Sequence, residues 1–157
     1  MFLSAAGTTA AEPFFAMSGG LRSNLLRFLV GTTAGGFLLG AVGDITKTIM
    51  KSKKGADHLV TEGVFRFFRH PNYTGELFGW TASTAAGLIV SGGSMPLKVA
   101  SVVGALGINF VLIQAATNLE KKQAAKYGET DSYQKWILGS WAGVTKKKKD
   151  EVSDYSI

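Results

Sequence analysis

Three long stretches of the chain contain no charged residue. Residues 77–97 and 99–119 lack Asp, Glu, Lys, Arg and His altogether, and residues 28–43 form a shorter stretch of the same kind. A helix needs about 20 apolar residues to cross the hydrocarbon core of a bilayer. The two longer stretches reach that length, and the first reaches it if Leu25 and Leu26 are included and Arg27 extends toward the headgroups. The pattern predicts an all-α integral membrane protein with three transmembrane helices.

The alternative is a soluble helical bundle, whose surface helices should show a polar stripe. Inside the three stretches the residues that are not apolar are mostly Gly, Ser and Thr. The whole chain is 46% hydrophobic and only 18% charged, whereas average globular proteins carry about a quarter charged residues. Both observations favour the membrane protein over the soluble bundle.

Net charge and the scarcity of Cys and His exclude several kinds of site. Lys and Arg number 17 against 11 Asp and Glu, a net charge of +6. A basic protein can bind nucleic acid, but the charge-free stretches point to lipid as the partner and not to nucleic acid. The chain has no Cys and two His, which excludes disulfides, thiol catalysis and cysteine or three-histidine metal centres. We therefore expect no metal site.

The distribution of charge predicts the topology and the domain boundaries. Residues 91–96 contain two Gly and one Pro, which predicts a turn and hence an antiparallel hairpin of the second and third helices. Residues 44–74 and 119–157 hold most of the Lys and Arg, so they should face the cytoplasm, stroma or matrix. The organelle stays open between the endomembrane system and the thylakoid. We expect an N-terminal extension at 1–20, a membrane domain at 21–137 and a charged, solvated tail at 138–157.

Small and polar residues inside the stretches predict helix contacts. Gly31 and Gly35, and likewise Gly36 and Gly40, are spaced so that another helix can approach closely. The same spacing also fits the general composition of membrane helices. Asn109 and Gln114, in the third stretch, are expected to form hydrogen bonds between helices.

The segment from 59 to 76 holds candidate catalytic and binding residues. We expect an interfacial loop-helix at 59–73, with its aromatic side chains at headgroup depth. Pro71 biases His70 toward an extended backbone, so His70 and Tyr73 should lie on irregular backbone just before the second helix. A basic amphipathic helix is predicted at about 119–137.

The hairpin predicts one polar cluster at the basic face. Glu76 opens the second helix and Glu120 closes the third, so both should reach the same membrane surface. The residues expected to join them are Arg66, Arg69, His70, Tyr127 and Tyr133. The two arginines could bind an anionic group. Alternatively, the pairs Arg69–Glu120 and Arg66–Glu76 only neutralise one another at the helix ends.

The sequence of this segment resembles a superfamily of membrane enzymes. Residues 63–76 read Gly-Val-Phe-Arg-Phe-Phe-Arg-His-Pro-Asn-Tyr-Thr-Gly-Glu, and Glu120, the pair Tyr127-Gly128 and Tyr133 follow after one helical hairpin. This order resembles the isoprenylcysteine carboxyl methyltransferases, the phospholipid methyltransferases and the C-terminal regions of steroid 5α-reductase-like and sterol reductases. The resemblance covers about residues 59–135.

The resemblance implies a lipid-modifying enzyme with its cofactor pocket at the cytosolic face. Methyltransferase members bind S-adenosylmethionine there and reductase members bind NADPH; we expect S-adenosylmethionine. The residues then expected to bind the cofactor are Arg66, Arg69, His70, Tyr73, Gly75, Glu76, Glu120, Tyr127 and Tyr133. Of these, His70 and Glu120 are expected to be catalytic. A lipidic acceptor would enter from the bilayer.

Some features depart from the pattern of this superfamily. Only one predicted helix precedes the hairpin, where members often have more, and residues 136–141 lack the usual proline. Phe67 and Phe68 stand where Tyr and Ser are common. These departures allow an alternative: a non-catalytic accessory subunit of a larger photosynthetic or respiratory membrane complex, built on the same fold.

Overall fold

The structure, a computed structural model, describes residues 19–91 and 94–143, and this part of the chain is almost entirely helical. The helices are α1 (Gly19–Lys54), α2 (Pro71–Val90), α3 (Met95–Tyr127) and α4 (Asp131–Gly139), with one 3-10 turn at Gly63–Arg66. The greater part of the predicted N-terminal extension and of the charged tail, including Lys146 to Lys149, lies outside the described residues.

Two of these helices, α1 and α3, are long and apolar enough to cross a membrane. With 36 and 33 residues, at 1.5 Å per residue they are about 54 and 50 Å long and exceed the roughly 30 Å bilayer core. Only 11% of the most apolar 18-residue segment of each helix is buried inside the protein, whereas the core helix of a soluble protein is mostly buried. Exposed apolar helices of this length agree with a membrane protein.

The remaining predicted span, the second along the chain, corresponds to α2, which is shorter and more polar at its start. Its first two turns contain Asn72, Tyr73, Thr74 and Glu76, and α2 is not among the helices that are apolar enough to cross a membrane by themselves. That α2 crosses the bilayer stays a prediction.

Glycines allow α1 and α2 to pack with their backbones in contact. A Cβ atom added at Gly36 would lie 2.6 Å from both the carbonyl oxygen of Gly75 and the nitrogen of Gly79. Gly40 faces Asn72 and Glu76, and Gly43 faces Pro71 and Asn72. Residues with higher numbers in α1 contact residues with lower numbers in α2, so the two helices are antiparallel. The pair Gly36 and Gly40 thus forms an internal interface, whereas Gly31 and Gly35 have no neighbouring atom within 4 Å of an added Cβ.

The second and third helices form the predicted antiparallel hairpin. The side-chain amide of Asn109 in α3 donates to Thr81 Oγ1 in α2 at 3.0 Å. Further from the turn, His70 Nε2 lies 2.5 Å from Glu120 Oε2. In each pair the two residues are equally far in sequence from residue 95, where the helices are connected. The two helices therefore run antiparallel, side by side. Asn109 therefore makes the interhelical bond expected of it, while Gln114 is exposed and no such bond is described for it.

A C-terminal strap, which we define as residues 131–143, packs on the loop between α1 and α2. Trp136 Nε1 donates to the carbonyl of Phe65 at 2.6 Å, and Trp141 exchanges backbone hydrogen bonds with Phe67 (2.8 Å) and Arg69 (3.0 Å). Most buried apolar side chains of the described residues belong to these two segments: Val60, Phe65, Tyr133, Trp136 and Ala142. The core therefore lies at the end of the bundle, outside the long apolar stretches.

The strap and the loop differ in detail from the predicted elements. The helix expected at about 119–137 is broken, because α3 ends at Tyr127 and α4 begins at Asp131 after its N-cap Thr130. In place of a loop-helix at 59–73 there is one 3-10 turn, and α2 begins at Pro71. Proline is favoured in the first turn of a helix, where its missing N–H costs no bond. Tyr73 consequently lies within α2 and not on irregular backbone.

The bond from Trp136 to the loop gives a direct test of this packing. Replacing Trp136 by Phe keeps most of the ring but leaves the buried carbonyl of Phe65 without its donor. We expect a loss of about 1 kcal/mol in the free energy of unfolding, the usual size for one buried hydrogen bond. Denaturant unfolding in detergent micelles measures this, and Trp141→Phe is a control because its described hydrogen bonds come from the backbone. An equal loss in both variants would mean that the side-chain bond contributes nothing.

Candidate functional site

Three side chains from the two ends of the hairpin meet at the start of α2. Glu120 accepts hydrogen bonds from Arg69 Nη1 through one carboxylate oxygen and from His70 Nε2 through the other, the second at 2.5 Å. Because a carboxylate can only accept, His70 Nε2 carries the hydrogen. His70 is 1% exposed and Arg69 is 9% exposed. The structure therefore brings together the two distant segments that the sequence places at one membrane surface.

The backbone around this triad explains why the three side chains are held in place. His70 is the residue before α2, with φ −134°, and its carbonyl accepts the first helical hydrogen bond, from Thr74 N at 2.9 Å. The residue before a proline is driven out of the helical region, so Pro71 fixes where the helix begins. On the other side, the Arg69 N–H donates to the Trp141 carbonyl. The triad is thus fixed by α2, α3 and the strap.

A cleft of about 250 Å³ lies beside the triad, where α1 and α3 extend past their apolar stretches. Residues 56–60 form its outer wall, and His70 and Asn72 reach it from the start of α2. The basic side chains that line it come from both long helices and from the wall: Lys47, Lys51, Lys122, Lys126 and His58. Among the described residues, Asp57 is its single acidic lining residue. The cleft is therefore cationic.

Two of the four lysines are engaged with the outer wall and two are not. Lys51 Nζ donates to the Ala56 carbonyl at 2.8 Å, and Lys126 pairs with the carboxylate of Asp57. Lys47 and Lys122 form no ion pair with another described residue. Their charges are consequently available to a ligand in the cleft.

Two acids near the cleft, Asp57 in the wall and Glu62 just after it, are both held ionised by lysines. A hydrogen bond from Lys54 Nζ to Glu62 at 2.5 Å lowers the pKa of that carboxyl to about 2. The hydrogen bond and positive charge of Lys126 lower the pKa of Asp57 below its ordinary value. Since each carboxylate is paired with its own lysine, neither neutralises Lys47 or Lys122.

Several of the predicted cofactor-binding residues lie away from the cleft. His70 and Tyr127 line it, and Arg69 and Glu120 adjoin it through the triad. Gly75 is packed against the α1 backbone and Glu76 against Gly40, while Tyr133 is buried in the strap at 4% exposure. Tyr73 has its ring 6.2 Å from that of His70.

Of the two expected neutralising ion pairs, one is confirmed and one is wrong. Arg69 does pair with Glu120. Arg66, by contrast, is exposed at the end of the 3-10 turn, and the described residues include no Arg66–Glu76 ion pair. The pair fails because Glu76 lies on the face of α2 that packs against α1, where Gly40 contacts it.

The lysines of the cleft were missed as site residues, although their spacing could have indicated them. Lys47 and Lys51 are four residues apart on α1, as are Lys122 and Lys126 on α3. Residues four apart share one face of a helix. Two such basic faces, at the ends of helices that meet the same loop, predict a shared cationic surface.

Comparison with known proteins gives one match. The family described as "Protein of unknown function (DUF1295)" matches residues 28–137. No curated protein and no solved structure matches the chain. The match begins in α1 and ends within α4, so it includes the α1–α2 crossing, the triad, the cleft and the first part of the strap. Since it covers well over half of the chain, this protein belongs to the DUF1295 family.

Proposed function

We propose that this protein is a membrane-embedded enzyme that modifies a lipid, and that its cationic cleft binds the phosphate-bearing part of a nicotinamide dinucleotide. The observation that carries the proposal is the charge of the cleft, with four lysines against one aspartate that is already paired. Lysine is a common phosphate ligand in proteins. The resemblance of residues 63–76 to steroid 5α-reductase-like enzymes, whose reductase members bind NADPH, supports the same cofactor class.

The residues of the cleft suit one portion of such a ligand and not its whole length. The cleft measures about 250 Å³, somewhat below the 300–1,000 Å³ typical of whole-ligand pockets, so it would enclose one portion of a dinucleotide. Lys47 and Lys122 would hold phosphate oxygens. When bound, the dinucleotide supplies a hydride.

The triad would act as the fixed floor of this site. Glu120 holds the imidazole of His70 in one orientation and one tautomer, with the hydrogen on Nε2. Arg69 neutralises the carboxylate that does so. Because Glu120 pairs with both Arg69 Nη1 and His70 Nε2, the triad by itself also fits a structural role, and the proposal rests on the lysines.

Methyl transfer from S-adenosylmethionine stays a prediction from the resemblance. That cofactor carries a positively charged sulfonium, which a carboxylate or an aromatic face stabilises. The cleft offers the aromatic rings of Phe65 and Tyr127, but its carboxylate, Asp57, is paired with Lys126 and four lysines line the same space. The charge of the cleft thus favours the dinucleotide.

Calorimetric titration of the purified protein in nanodiscs tests the proposal. We expect NADPH to bind with micromolar affinity. The double variant Lys47→Ala/Lys122→Ala should weaken binding at least about tenfold, since each tenfold corresponds to 1.4 kcal/mol and a charged hydrogen bond contributes about 1.5–3. The matched control is Lys53→Ala/Lys121→Ala, which removes the same charge from the same two helices at positions that do not line the cleft.

Three results would contradict the proposal. Equal weakening in both double variants would mean that only overall charge matters. Binding of S-adenosylmethionine in place of NADPH would favour the methyltransferase. If neither ligand binds to the folded protein, the accessory-subunit interpretation is favoured.

A further inference from the structure

A group of large apolar side chains is exposed outside the long helices. Leu138 is 86% exposed, Phe67 64% and Trp141 50%. The first and third belong to the strap, and Phe67 lies in the loop to which the strap is bonded. Phe67 and Trp141 are neighbours through a backbone hydrogen bond, and Leu138 lies three residues before Trp141; exposed apolar groups that lie close together mark an interaction site.

The strap presents these side chains from a rigid support. Tyr133 and Trp136 are buried at 4% and 7% exposure on the side of α4 that faces the loop. The backbones of Trp141 and Phe67 are joined by a 2.8 Å hydrogen bond, and the rings of Trp141 and Phe68 are in edge contact at 5.7 Å. Because the fold fixes both segments, the exposure of Leu138, Phe67 and Trp141 is a property of the surface and not of a loose end.

Basic residues accompany the apolar ones. Arg66 directly precedes Phe67, and Lys135 lies one helical turn before Leu138; both are exposed and form no ion pair with another described residue. Of the neighbouring acids, Glu129 precedes α4 and Asp131 begins it, one turn before Lys135, whereas Leu138 and Trp141 lie at or beyond its other end. Apolar and aromatic side chains with flanking Lys and Arg are typical of segments that lie in the interface of an anionic bilayer.

We infer that this surface, formed by Arg66, Phe67, Lys135, Leu138 and Trp141, docks onto the headgroup region of an anionic lipid leaflet. It belongs to the end of the bundle where α2 begins, and the apolar stretches of α1 and α3 continue from that end with their side chains exposed. The bilayer that surrounds those stretches therefore extends to the strap. This gives Arg66 a role at the lipid surface in place of one at the cofactor, and it does not depend on the proposed function.

The absence of Cys from the chain permits a test with single labels. Leu138→Cys, carrying an environment-sensitive fluorophore, is reconstituted in vesicles of phosphatidylcholine and phosphatidylglycerol. The label should be quenched several-fold more by lipids with a nitroxide near the headgroup than a label at Glu129→Cys, the exposed control before α4. Iodide in the aqueous phase should give the reverse order. Phe67→Cys repeats the test from the loop side.

The charge requirement is tested in the same system. Arg66→Ala/Lys135→Ala should reduce nitroxide quenching of the Leu138 label, and so should replacing phosphatidylglycerol by phosphatidylcholine. If iodide quenches the Leu138 label as strongly as the Glu129 label, the surface faces water and the inference is wrong. A label protected from both quenchers would also overturn it, because a protein partner or a second copy would then cover the surface.

Discussion

Replacement of Glu120 by alanine is expected to lower the free energy of unfolding by about 3 kcal/mol, the usual cost of removing one partner from a buried ion pair. Glu120 is the single described acceptor for Arg69 Nη1 and for His70 Nε2. Both donors are nearly inaccessible to water, so without the carboxylate they stay buried and unpaired. Glu120 itself is 21% exposed at its side chain, which is why we take the lower end of the range for such pairs.

The measurement is unfolding of the purified protein in detergent micelles, by heat or by denaturant. Glu129→Ala is the matched control, because it removes the same carboxylate from an exposed position just beyond α3; we expect a change within about 0.5 kcal/mol. Glu120→Gln keeps an oxygen acceptor and should fall between the two. A loss in Glu120→Ala no larger than in Glu129→Ala would show that the triad does not hold the hairpin ends together.

The positions of the long helices follow from the sequence because lipid excludes charge from a span. The charge-free stretches at 28–43, 77–97 and 99–119 each lie within or mostly within one of the helices. The same reasoning places Arg69, His70 and Glu120 at one end of the hairpin, where the structure pairs them. These predictions needed only the length of a span and the direction of the chain.

The ends of the helices do not follow from that reasoning, and the cleft depends on them. Beyond Gly43 the chain is polar but still suited to a helix, so α1 continues to Lys54 and stops before Gly55, whose φ of +99° is favourable for glycine. Likewise α3 continues past Leu119 to Tyr127. The lysines that line the cleft lie on these extensions. The number of charged residues there predicts the topology, but it does not predict which side chains face one another.

The packing of the strap also could not be predicted from the pattern of apolar and charged residues. Its contacts join residues about 70 positions apart, such as Trp136 to Phe65, and they depend on backbone groups whose positions no periodicity fixes. The break between α3 and α4 depends on local hydrogen bonds, including that from Gln134 Nε2 to the Gly128 carbonyl at 2.6 Å. The sequence predicts one helix at about 119–137, because Gly128 and Thr130 alone do not indicate where it breaks.

The glycine crossing of α1 and α2 should be the part of the fold least tolerant of substitution. Alanine at Gly75 would place a methyl group 2.6 Å from the nitrogen of Gly40, and also against the carbonyl oxygen of Gly36. These neighbours are backbone atoms, which cannot move aside without separating the two helices. We expect Gly75→Ala to destabilise the protein by about 3 kcal/mol, the upper part of the usual range for overpacking, and Gly75→Val to prevent folding.

The control for this prediction comes from the same helix pair. Gly35→Ala, on α1 next to Gly36, meets no atom within 4 Å, so it should be neutral or stabilising by up to about 1 kcal/mol, because alanine favours a helix over glycine. Thermal unfolding of both alanine variants in micelles, with the yield of folded Gly75→Val, provides the comparison. If Gly75→Ala and Gly35→Ala unfold alike, the two helices are not in backbone contact. Since Pro71 and Asn72 pack on Gly43 of the same interface, loss of this crossing would also displace His70 and the wall of the cleft.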